Sequence, residues 1–144
     1  MRHRLLLAIA TLTVIAGLRV SAPGGVARAE ATSQTGQAGA VTIKATWQGV
    51  DAGPVFTVAL DTHAVNLDGY DLGQLATLRA DQGVEVAPIG WEAPTGGHHR
   101  QGTLTFPLTQ PDGSPVLTGD TQQIELVIRE VGGVPETVLK WALP

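Results

Sequence analysis

The chain has 144 residues, no cysteine and a formal net charge of −4. This length predicts one folded domain, and the absence of cysteine excludes disulfides and thiolate metal sites. All 13 acidic residues but only five of the nine basic ones follow Ala29, so the chain beyond that residue carries a net charge of about −8. Such a balance argues against nucleic acid and anionic lipid surfaces as partners.

The first 29 residues have the pattern of a secretory signal peptide. Arg2 and Arg4 precede an apolar run over 5–18, and a stretch of small residues ends at Ala29. A basic start, a short apolar middle and a small-x-small site are typical of signal peptides, and the run of about 14 residues is shorter than the roughly 20 of a membrane-spanning helix. We expect cleavage after Ala29 and an exported protein, periplasmic, extracellular or at the cell surface, with no membrane insertion after cleavage. The alternative is that the segment is kept as an anchor.

Residues 30–40 are small and polar, so we predict a flexible tether in front of a domain that spans 41–144. Apolar and polar residues alternate from Val41 to Trp47, which predicts a half-buried strand. A turn over 49–54 leads into a second strand over 55–63. That strand carries Asp61 and His63 on one face, because side chains two residues apart point to the same side.

The rest of the domain has the pattern of short strands joined by turns. Residues 65–75 predict a loop with one helical turn, and the β-prone runs 76–80 and 84–89 predict a hairpin around 81–83. Residues 91–102 contain a proline, three glycines and a histidine pair, so we predict a surface loop there. Further strands are predicted at 104–108, 124–129 and 137–143.

About seven short strands, with turn signals roughly every ten residues, predict an all-β fold. The expected architecture is an antiparallel two-sheet sandwich of immunoglobulin-like shape. Its predicted core consists of the inward positions of the strands: Val41, Ile43, Trp47, Phe56, Val58, Leu60, Leu78, Val86, Leu104, Phe106, Ile124, Leu126, Ile128 and Trp141.

Three histidines beyond Ala29 form the most informative group for function. His98 and His99 follow two glycines, which permit backbone conformations that turn both side chains toward one point, and His63 ends the second strand. Three imidazoles suit zinc or copper(II). Methionine is absent beyond Met1, which argues against a copper(I) carrier. We therefore predict a non-enzymatic domain that binds a divalent metal ion at His63, His98 and His99.

Polar residues near these histidines are expected to support the site. Asp61 is expected to orient an imidazole, and Asp68, Asp71 and Glu92 are further candidate carboxylates. The competing interpretation is structural: the loop is pinned by hydrogen bonds, and Arg100 pairs with Asp61 or Asp71. The domain is then a structural or protein-interaction module of the cell envelope, and its partner is an envelope protein.

No catalytic constellation is visible in the sequence. Beyond Ala29 the only serines are Ser33, in the predicted tether, and Ser114, in a proline-rich turn, and neither has a nucleophile's setting. We expect no enzymatic activity. Trp91 borders the histidine loop and is the tryptophan that we expect to contact a ligand.

Four motifs together resemble a group of exported bacterial β-sandwich domains that have no assigned activity: Leu60-Asp61-Thr62-His63, Tyr70-Asp71-Leu72, Trp91-Glu92 and Gly96-Gly97-His98-His99-Arg100. The resemblance covers roughly residues 41–141 and implies an exported β-rich domain. A looser similarity, in architecture and compartment alone, is to small periplasmic copper-binding sandwiches of the copper-resistance type. Their methionine ligands are missing from this chain.

Overall fold

The computed structural model describes residues 33–144 and contains nine strands, most of which have apolar residues at alternate positions. The predicted signal peptide, 1–29, and the first residues of the predicted tether, 30–32, lie outside the described residues. The elements are β1 (Ser33–Ala38), β2 (Val41–Gly49), β3 (Val55–Asp61), α1 (Leu72–Leu75), β4 (Ala76–Ala80), a 3₁₀ helix (Asp81–Gly83), β5 (Glu85–Val86), β6 (Gly90–Glu92), β7 (His99–Thr105), β8 (Gln123–Val131) and β9 (Val134–Ala142).

The strands form two antiparallel sheets. The larger has the order β1-β2-β3-β7-β6 and the smaller the order β5-β4-β8-β9. Seven of these strands follow the immunoglobulin order, with β2-β3-β7-β6 as A-B-E-D and β4-β8-β9 as C-F-G. The prediction of an all-β, immunoglobulin-like two-sheet sandwich is confirmed, and β1 and β5 are strands added at the sheet edges.

The core lies between the sheets and consists of the inward residues of both. Thirteen of the fourteen predicted core residues are buried, and only Trp47 is partly exposed. Trp47 closes one end of the core, with its ring 4.9 Å from that of Phe56. Leu67 and Leu72, both in the segment predicted as a loop, are also fully buried.

The tether prediction is wrong for residues 33–38, which form β1 and pair along their whole length with β2. The segment lacks the large apolar residues that mark a strand. Its pairing depends on backbone hydrogen bonds, and small residues suit the position because Gly36 lies against Leu139 and Thr137 of the opposite sheet. A strand without large side chains cannot be recognised from hydrophobic alternation.

The loop prediction over 91–102 is wrong at both ends. Residues 90–92 form β6, and β7 begins at His99, inside the predicted loop. The predicted helical turn and the hairpin over 76–89 are both present, as α1 and as β4 paired with β5. Within residues 33–144, no helix has the length and hydropathy needed to cross a membrane.

Candidate metal site

Asp61 and His99 face each other at one end of the larger sheet. Asp61 is the last residue of β3, His99 is the first of β7, and the two strands pair at these positions. The side chains therefore lie on the same face, and His99 Nδ1 is 2.7 Å from Asp61 Oδ1. Both remain accessible, with side-chain exposures of 66% for His99 and 50% for Asp61.

His63 lies just beyond the end of β3, and its ring approaches that of His99. The ring centroids are 5.9 Å apart and the planes cross at 80°. The neighbouring residue Thr62 is buried; its hydroxyl donates to the Ala40 carbonyl and accepts from the Ala64 amide. The backbone on both sides of His63 is thus held while the imidazole stays exposed. We refer to Asp61, His63 and His99 as the histidine cluster.

His98 does not join this cluster. It lies in a tight turn in which the His99 amide donates to the Gly96 carbonyl over 3.1 Å, and its side chain is exposed. Residues 33–144 contain no group of three or more histidine, aspartate or glutamate side chains placed to hold one ion. The structure therefore brings together two of the three predicted imidazoles and leaves the third outside.

The glycines before His98 serve the turn itself. A Cβ on Gly96 would lie 2.0 Å from the His99 carbonyl oxygen, and Gly97 has φ +62°, a value that favours glycine. Asp68 Oδ1 accepts from the amides of both glycines, at 2.8 and 3.2 Å. The Gly96 hydrogen bond, supported by that of Gly97 and by the Arg100 charge, lowers the pKa of Asp68. The expectation that the glycines aim both histidines at one point is wrong.

Arg100 connects the surrounding loops by donating hydrogen bonds to their backbone carbonyls. The predicted pairing of Arg100 with Asp61 or Asp71 is therefore wrong. Its Nη1 donates to the Tyr70 carbonyl over 2.8 Å and to the Leu67 carbonyl over 3.2 Å. On the other side, its Nε donates to the carbonyl of Pro94 over 3.1 Å. The guanidinium joins two loops that contain no regular strand of their own, which supports the structural interpretation for this residue.

The remaining predicted site residues lie apart from the histidines. Asp71 caps α1 by accepting from the Gly73 amide over 2.9 Å. Glu92 is exposed on β6, paired with Thr103 of β7. Trp91 is half-buried, and the Arg100 guanidinium lies 5.7 Å from the centre of its ring.

Sequence reasoning missed how much Asp68 contributes. In the sequence it is only one of several candidate carboxylates, whereas in the structure it accepts hydrogen bonds from two consecutive amides of the glycine turn. A signal for this role was present, because a tight Gly-Gly turn exposes backbone donors that need an acceptor. The partner lies 28 positions away, however, and no local pattern identifies it.

The histidine cluster places one imidazole that contacts a carboxylate beside a second imidazole. With the proton on Nδ1, His99 donates to Asp61 and keeps a lone pair on Nε2, the arrangement in which a carboxylate orients a ligating imidazole. Two imidazoles that share one ion hold their ring centres about 5 Å apart, given nitrogen–metal distances near 2 Å. The observed distance between the His63 and His99 ring centroids is 5.9 Å, somewhat longer than that value.

Comparison with known proteins found no matching family model, no matching curated protein and no matching solved structure.

Proposed function

We propose that this protein is an exported, non-enzymatic domain that binds a divalent metal ion, zinc or copper(II), at His63 and His99. Asp61 holds the His99 ring in place. The observation that carries the proposal is the 2.7 Å contact between Asp61 Oδ1 and His99 Nδ1 beside a second imidazole at 5.9 Å.

The proposal is supported by the fact that residues other than the histidines hold the loop in place. Asp68 and Arg100 satisfy the backbone of the turn and of the loops beside it. The side chains of His63 and His99 are exposed. Two exposed imidazoles side by side, one of them oriented by a carboxylate, are explained by a ligand better than by packing.

Two imidazoles leave the other coordination positions to water. Zinc and copper(II) both accept nitrogen ligands of this kind, and neither needs a thiolate or thioether. Because only two protein ligands contribute, we expect micromolar affinity. Asp61 would add to it by fixing the His99 ring before the ion arrives.

The alternative is a structural or protein-interaction module of the cell envelope, in which the histidine loop is only a packing and hydrogen-bonding element. The hydrogen bonds of Asp68 and Arg100 favour this interpretation for the loop backbone. In this interpretation the imidazoles serve only the hydrogen bonds and packing of the loop, so replacing them should lower stability and leave metal uptake unchanged.

Calorimetric titration with zinc and with copper(II) tests the proposal on protein purified without a polyhistidine tag. His63→Ala and His99→Ala should each abolish the binding heat, and Asp61→Asn should weaken binding by about 10–100-fold. His98→Ala is the matched control, because it removes an exposed imidazole of the same loop that is outside the cluster, and it should bind like the wild type. Absence of heat with both ions, or an equal loss in His98→Ala, would contradict the proposal.

A further inference from the structure

An apolar groove of about 490 Å³ opens at the end of the sandwich opposite the histidine cluster. Trp47, which lines this groove, is on β2 and pairs with Phe56 of β3. Phe56 lies five positions before Asp61, the last residue of β3. At the rise of an extended strand, the groove and the cluster are therefore roughly 17 Å apart. The groove is lined mainly by large apolar residues and prolines, among them Trp47, Val50, Pro54, Leu108, Leu117 and Leu143.

The groove presents apolar surface that a partner would bury. Leu108 is 56% exposed and Val50 is 47% exposed, and the only other large hydrophobic residue exposed between 33 and 144 is Ile89, next to β6. A lone exposed apolar residue is ordinary, but a cluster beside a concave apolar wall marks a binding site. The partly buried Trp47 supplies a rigid aromatic wall of the kind found at the centre of interfaces.

Two acidic residues are neighbours, in the chain, of residues that line the groove. Asp51 directly follows the lining residue Val50, and Asp120 directly follows Gly119; both are exposed. In the part of the chain that the structure describes, neither carboxylate accepts a hydrogen bond or joins an ion pair. Residues 33–144 contain five basic residues. Four of them form ion pairs or hydrogen bonds with other parts of the domain: Arg79, Arg100, Arg129 and Lys140. This charge distribution attracts cationic partners and repels acidic ones.

We propose that the groove binds a peptide segment of a partner protein in which apolar side chains lie between lysines or arginines. The apolar side chains fill the groove against Trp47 and Leu108. The flanking basic residues meet Asp51 and Asp120. This surface is separate from the metal site proposed for His63 and His99, so failure of one proposal leaves the other standing.

Fluorescence anisotropy with labelled peptides tests the charge requirement on the full chain. The first probe carries four leucines with two lysines on each side, and the second carries glutamates in place of the lysines. The lysine-flanked probe should bind at least tenfold more tightly. The double variant Asp51→Asn/Asp120→Asn should reduce this preference to less than threefold. Equal binding of the two probes by the wild type would overturn the proposal.

A pair of matched substitutions tests the location. Leu108→Gln replaces an exposed apolar residue inside the groove and should weaken binding of the lysine-flanked probe at least tenfold. Ile89→Gln makes the same kind of change at an exposed position away from the groove and should leave binding unchanged. Both side chains are exposed, so both variants should fold, as circular dichroism will verify. Equal effects of the two substitutions would overturn the proposal.

A third peptide distinguishes a partner from the chain itself. Residues 19–28 have an arginine at each end and apolar residues between them, so they share the proposed pattern, and they precede the strand that begins at Ser33. Ser33 pairs with Thr46, next to Trp47 of the groove. If the peptide of residues 19–28 binds more tightly than the lysine-flanked probe, the occupant is the chain's own leader and the proposal of a separate partner fails. Weaker binding of this peptide supports the partner.

Discussion

At the scale of single residues, the Asp68 carboxylate joins two distant loops. It accepts from the amides of Gly96 and Gly97, and the Gly96 hydrogen bond is the main reason that its pKa is lowered. A carboxyl group whose pKa is lower in the folded state than in the unfolded chain stabilises the fold above the unfolded pKa, near 3.9. That contribution is lost as the pH falls through the lower, folded-state pKa.

Asp68→Asn should therefore lower the free energy of unfolding at neutral pH, and the difference from the wild type should shrink as the pH falls below about 4. The asparagine keeps an oxygen acceptor but has no charge to lose. Urea unfolding at a series of pH values measures both curves. Parallel curves down to the acid end would show that the ionised carboxylate of Asp68 does not contribute.

The sequence predicts the position of a side chain best where a strand fixes the direction in which that side chain points. The sequence predicts that Asp61 contacts an imidazole, and it contacts that of His99 because these residues are paired on adjacent strands. The prediction for His98 is wrong because the direction of its side chain depends on the turn geometry at Gly97, which the residue types alone do not specify. The sequence suggests a carboxylate partner for Arg100, but the guanidinium donates to backbone carbonyls that only the folded loops bring together.

At the scale of elements, the β1–β2 hairpin touches the β8–β9 hairpin through glycines. A Cβ on Gly132 would lie 2.0 Å from the Ala38 carbonyl oxygen, and a Cβ on Gly39 would lie 2.3 Å from the Gly132 carbonyl oxygen. Both glycines have positive φ. The turn between β8 and β9 thus contacts the end of β1, the strand that hydrophobic alternation does not predict.

Gly132→Ala should destabilise the domain by more than Gly133→Ala. Both positions have positive φ, but a Cβ on Gly133 meets no atom within 4 Å. In the control, Gly133→Ala, backbone strain alone should lower the free energy of unfolding by roughly 1–2 kcal/mol. Gly132→Ala should lose more, because the Ala38 backbone must move as well. Equal losses in urea unfolding would mean that the two hairpins are not in close contact.

The strands that were predicted correctly are those with large apolar residues at alternate positions. In β3 and β8, inward residues such as Phe56 and Ile124 are fully buried. β1 and the first half of β7 have small or polar residues, so their place in the sheet follows from backbone pairing with a neighbour. Hydrophobic alternation contains no information about that pairing.

At the scale of the whole molecule, the sandwich places two candidate surfaces at opposite ends of β3. The polar end carries Asp61 with the histidines, and the apolar end lies near Phe56 and the groove. Composition and strand count were enough to predict the sandwich. The pairing of β3 with β7 was not predictable, because these strands are far apart in the sequence. That pairing is what brings Asp61 and His99 together.

Imidazole ¹⁵N spectra recorded during a zinc titration test the central claim most directly, because they resolve each histidine separately. We predict that the signals of His63 and His99 shift together and saturate at one equivalent of zinc, while the signal of His98 keeps its position. Spectra in which no imidazole signal responds, or in which His98 shifts as far as the other two, would contradict a site formed by His63 and His99.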